Sequence, residues 1–289
     1  MTKGGQTGAH AEHAHFVTTD WLAAHLSAPD LLIVDATWHL PTLGRDARAE
    51  YLEAHIPGAV HFDIDAISDR TSDLPHMLPD PVAFSSAMRK LGLGDGMRVV
   101  VYDSYGLFSA ARVWWTLRAF GVRDVYVLEG GLPAWRAAGL ELEDGPPAAR
   151  PRHFTARLDH GAVASLEDIR AALAGDAQVV DARAADRFRG EAPEPRPGLK
   201  SGHMPGALNL PWTDIVANGR LKPAKELVGT FERAGVDLSK PIVTTCGSGV
   251  SAAILSLALE TAARRAAPVY DGSWAEWGGR PDCPVAFGK

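Results

Sequence analysis

The sequence predicts an α/β fold built twice: two tandem domains, each a mostly parallel sheet flanked by helices. Three observations carry this expectation. Short apolar runs of strand length alternate with segments of helical spacing. Three motifs recur in the same order at offsets of 142 to 148 residues. A stretch rich in Pro, Ala and charge, Glu143 to Arg152, lies between the copies and has the composition of a linker. The 289 residues also allow about two domains at roughly 150 residues each.

The repeats are specific. Leu31-Leu32-Ile33-Val34-Asp35-Ala36 matches Gln178-Val179-Val180-Asp181-Ala182-Arg183, each an apolar run ending in Asp-Ala. His55-Ile56-Pro57-Gly58-Ala59 matches His203-Met204-Pro205-Gly206-Ala207. Leu128 to Trp135 matches Tyr270 to Trp277. The expected division is a solvated tail over 1–15 that holds His10, His13 and His15, a first domain over 16–142, a linker over 143–160 and a second domain over 161–289.

Within the second copy the elements follow one another. Strands are expected at 178–182, 207–211, 241–245 and 268–272. A helix is expected over 224–234, with Leu227, Val228 and Phe231 on one side, and another over 250–263, rich in Ala and Leu. Trp114, Trp115, Trp135, Trp274 and Trp277 read as packing residues, some of them between the copies. Open parallel sheets bind ligands beyond the carboxyl ends of their strands. The loops after Asp35, Asp103, Asp181 and Cys246 are therefore the candidate sites.

Composition excludes several functions. Lys and Arg number 29 against 35 Asp and Glu, a net charge of −6, which disfavours nucleic-acid binding. Two cysteines, Cys246 and Cys283, cannot form a disulfide framework or a four-cysteine metal site. The first residues show neither an apolar leader nor an Arg-rich amphipathic pattern, so a cytoplasmic location is expected. The run 241–259 has no charge and approaches membrane-spanning length, but Pro241, Gly247 and Gly249 divide it into strand, loop and helix. Gly92 to Gly96 precedes a strand instead of following one, so it is no dinucleotide loop.

The most informative segment is Thr245-Cys246-Gly247-Ser248-Gly249-Val250-Ser251-Ala252. A strand delivers a cysteine into a glycine-rich turn, and a helix follows at once. Such a turn can aim successive N–H groups inward as an anion-binding nest, to which the helix start adds its positive end. Both favour a thiolate and hence a nucleophile. A buried structural cysteine is the commoner fate of a lone thiol, but it would need neither the glycines nor the helix start. In the first copy the matching segment begins Asp103-Ser104-Tyr105-Gly106. An Asp replaces the thiol, so one active site per chain is expected.

Two tandem copies with Asp in the first loop and Cys in the second resemble the two-domain rhodanese-like sulfurtransferases. The loop at Cys246 is similar to that of the 3-mercaptopyruvate branch, whereas the thiosulfate branch carries basic residues where Gly247 and Ser248 stand. Segments 38–59, 62–79, 187–198 and 270–277 share the likeness, which runs from about Phe16 to Trp277.

The resemblance implies a Cys246 nucleophile, a proton-handling set of Ser248, His76 and Asp65, and a loop of Gly247, Gly249, Val250 and Ser251. It implies that Arg187 and Arg196 hold the substrate, as suits planar guanidinium groups facing a carboxylate; Arg183 and Arg189 are the alternatives. His55 and His203 rival His76 but sit in a turn present in both copies, which favours a structural role. Cys283 reads as an accessible bystander. The implied activity moves sulfur from 3-mercaptopyruvate through a Cys246 persulfide to a thiol such as thioredoxin, or to cyanide, releasing pyruvate. It implies no cofactor and no metal, no nucleic acid or membrane as partner, and a monomer. Three rivals stand beside it: a thiosulfate sulfurtransferase, a Cys-loop phosphatase (Ala252 stands where its loop-closing Arg belongs), and a non-catalytic sulfur-binding module.

Overall fold

The computed structural model describes residues 14–147 and 149–288. His10 and His13 lie outside the described residues. The first copy runs β1 (Phe16–Val17), α1 (Thr19–His25), β2 (Leu31–Asp35), α2 (Ala47–Glu53), β3 (Val60–His61), α3 (Pro81–Lys90), β4 (Arg98–Tyr102), α4 (Ser109–Ala119), β5 (Val125–Leu128) and α5 (Gly131–Ala137). The second runs β6 (Val163–Ala164), α6 (Leu166–Ala174), β7 (Gln178–Asp181), α7 (Ala185–Arg189), β8 (Leu208–Asn209), β9 (Val216–Ala217), β10 (Arg220–Leu221), α8 (Ala224–Arg233), β11 (Ile242–Thr245), α9 (Ala252–Ala263), β12 (Val269–Tyr270) and α10 (Ser273–Trp277).

The two five-stranded sheets have the same order, β1-β5-β4-β2-β3 and β6-β12-β11-β7-β8, with every neighbour parallel. Val99, Val100, Val101 and Tyr102 of β4 are all buried, as a strand covered on both faces must be. Helix starts follow capping chemistry. Asp80 accepts from the N–H groups of Val82 and Ala83 ahead of Pro81, and Ser165 and Asp168 form a reciprocal capping box.

Helices α4 and α9 pack against each other between the two sheets. Every α9 residue from Ala252 to Leu259 is buried, which explains its apolar character on all sides. The run 241–259 thus divides into strand, turn and interdomain helix. Among the described residues no helix is long and apolar enough to cross a membrane. Helix α9 starts two residues later than its spacing suggests, because Gly249 takes a left-handed φ of 77° and Val250 still belongs to the turn.

Two segments differ from expectation. His15 is not part of a solvated tail: its carbonyl accepts from Val127 N–H, its ring stands edge-on to Trp114, and Nε2 lies 3.4 Å from Glu260. Burial pushes its imidazole below the ordinary histidine range, Glu260 opposing. The linker is anchored by buried Phe154 and Ala156 and by Arg157 and Asp159 N–H bonds to the carbonyls of Phe120 and Ala119.

Each copy covers the other's loop. The β9–β10 hairpin brings Gly219 onto Gly106, where a Cβ would lie 2.6 Å from the Gly219 Cα. Gly106→Ala should therefore cost about 3 kcal/mol, clash adding to backbone strain. Gly58 also has positive φ but open space around it, so Gly58→Ala should cost only about 1 kcal/mol. Denaturant unfolding of both variants tests this, and equal losses would contradict the close approach.

Candidate active site

Cys246 follows β11 directly and is 2% exposed. The start of α10 clamps its turn, Trp274 N–H donating to the Cys246 carbonyl and Ala275 N–H to that of Gly247, both at 2.9 Å. Ser273 Oγ lies 3.4 Å from Cys246 N and donates to the Tyr270 carbonyl, tying the cysteine to the end of β12. The two glycines serve different ends. Gly249 provides the left-handed turn, and any Cβ there would sit 2.5 Å from Arg112 Nη1. Gly247 lets Arg187 approach, since a Cβ there would lie 3.2 Å from its Nη2.

The first copy displays what this turn does. Asp103 Oδ1 accepts from Tyr105 N–H at 2.8 Å, while Oδ2 accepts from Phe108 and Ala110 N–H at 2.7 and 2.8 Å. Burial pushes the Asp103 carboxyl up and the three amides pull it back. The turn is an anion nest filled by its own side chain. In the repeat register the matching amides belong to Ser248, Ser251 and Ala253, and Cys246 replaces the carboxylate.

His76 and Asp65 come from the first copy's long loop between β3 and α3. The His76 backbone is left-handed, with φ 64°. Its Nδ1 lies 3.2 Å from the Ser248 carbonyl and its Nε2 3.1 Å from Asp65 Oδ1. Trp38 packs edge-on against the imidazole at 4.9 Å and donates through Nε1 to Asp65 Oδ2 at 2.9 Å. The His76 hydrogen bond holds the Asp65 carboxyl below the usual range, with Trp38 and Arg196 helping and partial burial opposing. His76 thus meets the carbonyl of Ser248, not its hydroxyl.

The rival histidines are structural. His55 bonds the Tyr51 carbonyl and stacks on that ring, and His203 does the same with Phe188. The arginines divide as clearly. Arg183 is fully buried, paired with Asp181 at 2.7 Å and Glu194 at 2.8 Å, and stacked over Trp274. Glu194 also holds Arg187. Arg189 pairs with Glu191 in solvent. Arg196 is half-buried and makes no hydrogen bond or ion pair with another described residue. Burial pushes its guanidinium down, while Cys246 and Asp65 pull it up. Cys283 is buried, not accessible, because the C-terminal segment packs it into the apolar cluster of Met204, Trp274 and Trp277. Sequence reasoning missed Trp38, Glu194, Arg112 and Asp271. Of these, Trp38, Glu194 and Asp271 sit inside stretches whose likeness could have flagged them, and Arg112 does not. Among the described residues no three His, Cys, Asp or Glu converge as metal ligands.

Two copies of one parallel α/β unit, with a cysteine turn in one and an aspartate turn in the other, define a tandem sulfurtransferase-type fold. A model of the rhodanese-like domain matches residues 18–138 and 165–280, and the chain belongs to that family. The 3-mercaptopyruvate sulfurtransferase of Escherichia coli K12 is 49% identical over 272 residues, spanning 93% of this chain and 97% of that protein. The human 3-mercaptopyruvate sulfurtransferase is 46% identical over 283 residues, spanning 94% and 95%. A crystal structure of the E. coli 3-mercaptopyruvate sulfotransferase SseA superposes with a TM-score of 0.84 at 46% identity, covering 90% of this chain and 98% of that one. The Tum1 protein of Saccharomyces cerevisiae gives 0.85 at 32% identity, covering 94% and 97%.

Because the folded Asp65 carboxyl is depressed, its stabilisation is complete above its unfolded pKa of about 3.9 and is lost as pH falls through the lower folded value. Asp65→Asn should lower Tm at pH 5 to 7, and the gap from the parent should narrow as pH falls below the unfolded value of about 3.9. Tm against pH for both proteins checks it; a gap that persists at low pH would contradict the His76–Asp65 interaction.

Proposed function

We propose that this protein is a 3-mercaptopyruvate sulfurtransferase that works through a persulfide on Cys246. The observation that carries this reading is Arg196, a half-buried guanidinium without a hydrogen-bond or ion-pair partner among the described residues, beside a thiol in an anion-binding turn. The full-length likeness to 3-mercaptopyruvate sulfurtransferases supports it.

Arg196, with Arg187, binds the donor carboxylate and its neighbouring keto oxygen. The Cys246 thiolate attacks the donor sulfur and an S–S bond forms. The carbon–sulfur bond breaks with its electron pair moving into the adjacent carbonyl as an enolate. The Ser248, Ser251 and Ala253 amides stabilise negative charge at the turn. One proton delivered to the enolate carbon gives pyruvate. Ser248 Oγ, with His76 oriented by Asp65 and Trp38 alongside, handles that proton. A thiolate acceptor then attacks the outer persulfide sulfur and restores the Cys246 thiolate.

Thioredoxin suits the acceptor role because its low-pKa thiol is a nucleophile at neutral pH. A site completed within one chain by residues of both copies favours a monomer. Two free cysteines fit a reducing cytoplasm. Thiosulfate is the runner-up donor, and the neutral Gly247 and Ser248 count against a dianion. Ala252 counts against phosphatase chemistry, and retention of the complete residue set counts against a non-catalytic module.

Cys246→Ser should lower sulfur transfer by at least ~10³-fold while leaving the fold intact. Arg196→Met should raise the donor KM by roughly 10–100-fold, the worth of a charge-assisted contact. Incubation with 3-mercaptopyruvate should add one sulfur to Cys246 and none to Cys283, read by mass spectrometry. Full activity in Cys246→Ser, or a higher kcat/KM for thiosulfate, would overturn the assignment.

A further inference from the structure

We propose that Arg112 and Asp271 are positioning residues that hold His76 in register with the Cys246 turn across the boundary between the copies. The proposal rests on the proton-handling role given to His76 above.

Arg112 lies on α4, in the apolar interface with α9, and its side chain is 2% exposed. Its guanidinium stacks over Trp115 at 4.5 Å and faces three acceptors. Nη2 lies 2.7 Å from Asp271 Oδ1 and also donates to the His76 carbonyl, while Nη1 reaches the Gly249 carbonyl at 3.4 Å. The Asp271 Oδ1 contact is a close ion pair without hydrogen-bond alignment. The second carboxylate oxygen of Asp271 accepts from Leu78 N–H at 2.7 Å. The couple therefore grips both ends of the turn 76–78 and the glycine of the cysteine turn at once.

A buried ion pair is weak evidence for stability, because desolvating two charges offsets their attraction. Its geometry is the stronger clue. A left-handed His76 is a strained backbone that persists only when its surroundings over-determine it. Arg112 supplies that determination with a rigid fork of donors that no other side chain offers. The first copy gives the contrast. Glu129 takes the place of Asp271 in the repeat, and Arg220 approaches it only to 3.7 Å, with the arginine 55% exposed. The tight, buried version occurs only at the turn that carries the thiol.

Arg112→Lys keeps a cation for Asp271, but one ammonium cannot span the His76 and Gly249 carbonyls. In the full chain its kcat should fall by roughly 10–100-fold, the scale of an ångström-level misplacement, with donor KM within about 3-fold because Arg187 and Arg196 are untouched. In a His76→Gln background the same substitution should cost less than about 3-fold, because residues acting through one another are non-additive. Thermal unfolding checks that each protein is folded; if Arg112→Lys is not, Asp271→Asn runs the same cycle. Equal losses in both backgrounds, or a folded variant with parental kcat, would overturn the proposal and leave the His76 role standing. Parental kcat in His76→Gln alone would overturn both.

Discussion

A backbone turn that aims several N–H groups at one point needs an anion at that point, and most of this molecule follows from that requirement. Unpaired buried amides are costly, so the turn cannot be left empty. In the first copy Asp103 fills it from within, accepting three N–H bonds and closing the site to chemistry. In the second, Cys246 stands in the same register. On the proposed reading its sulfur carries the negative charge that the reaction brings to the turn. An aspartate in one copy and a cysteine in the other are two answers to one electrostatic demand.

The turn also dictates how the copies pack. Each is followed by a helix whose positive end reinforces the nest, and those helices, α4 and α9, are the ones that meet between the sheets. Docking them face to face brings each turn under a segment of the opposite copy. Gly219 covers Gly106 at backbone distance, leaving no room for a side chain. At the other end of the interface the covering segment carries His76, and a buried arginine from α4 reaches through to it. The near-symmetry of the repeats explains the coverings, and the departure from symmetry marks the proposed reaction site.

The fold was legible because its signals are local and repeated. Buried strands such as 99–102 are continuous apolar runs, and the matching offsets declare two copies. Cys246 was legible for the same reason: strand, glycines and helix start are adjacent in sequence. His76 and Asp65 were reachable only by likeness, since nothing local separates His76 from ten other histidines. The contact with Ser248 crosses 172 residues, and its acceptor proved to be a carbonyl that any residue would supply. Arg112 was invisible because a charge in an otherwise apolar helix reads as an exposed position until the partner helix is docked. Cys283 and His15 were misjudged alike: residues close to a chain end look solvated unless the segment folds back.

Charge balance around the thiol bears on the choice of donor. Asp181, Arg183, Glu194 and Arg187 form a continuous chain of opposite charges that cancel in pairs. Arg187 therefore reaches the turn already compensated, and Arg196 is the cation left unpaired among the described residues, with the Asp65 charge acting on it. A site with one uncompensated guanidinium matches a donor with one carboxylate whose second polar group is a neutral carbonyl. A compact dianion would leave a negative charge unpaired in a half-buried site, a penalty that the neutral Gly247 and Ser248 cannot offset. On the proposed reading, the pairing of Glu194 with Arg187 keeps the second arginine in place for hydrogen bonding while removing the extra positive charge that would favour thiosulfate.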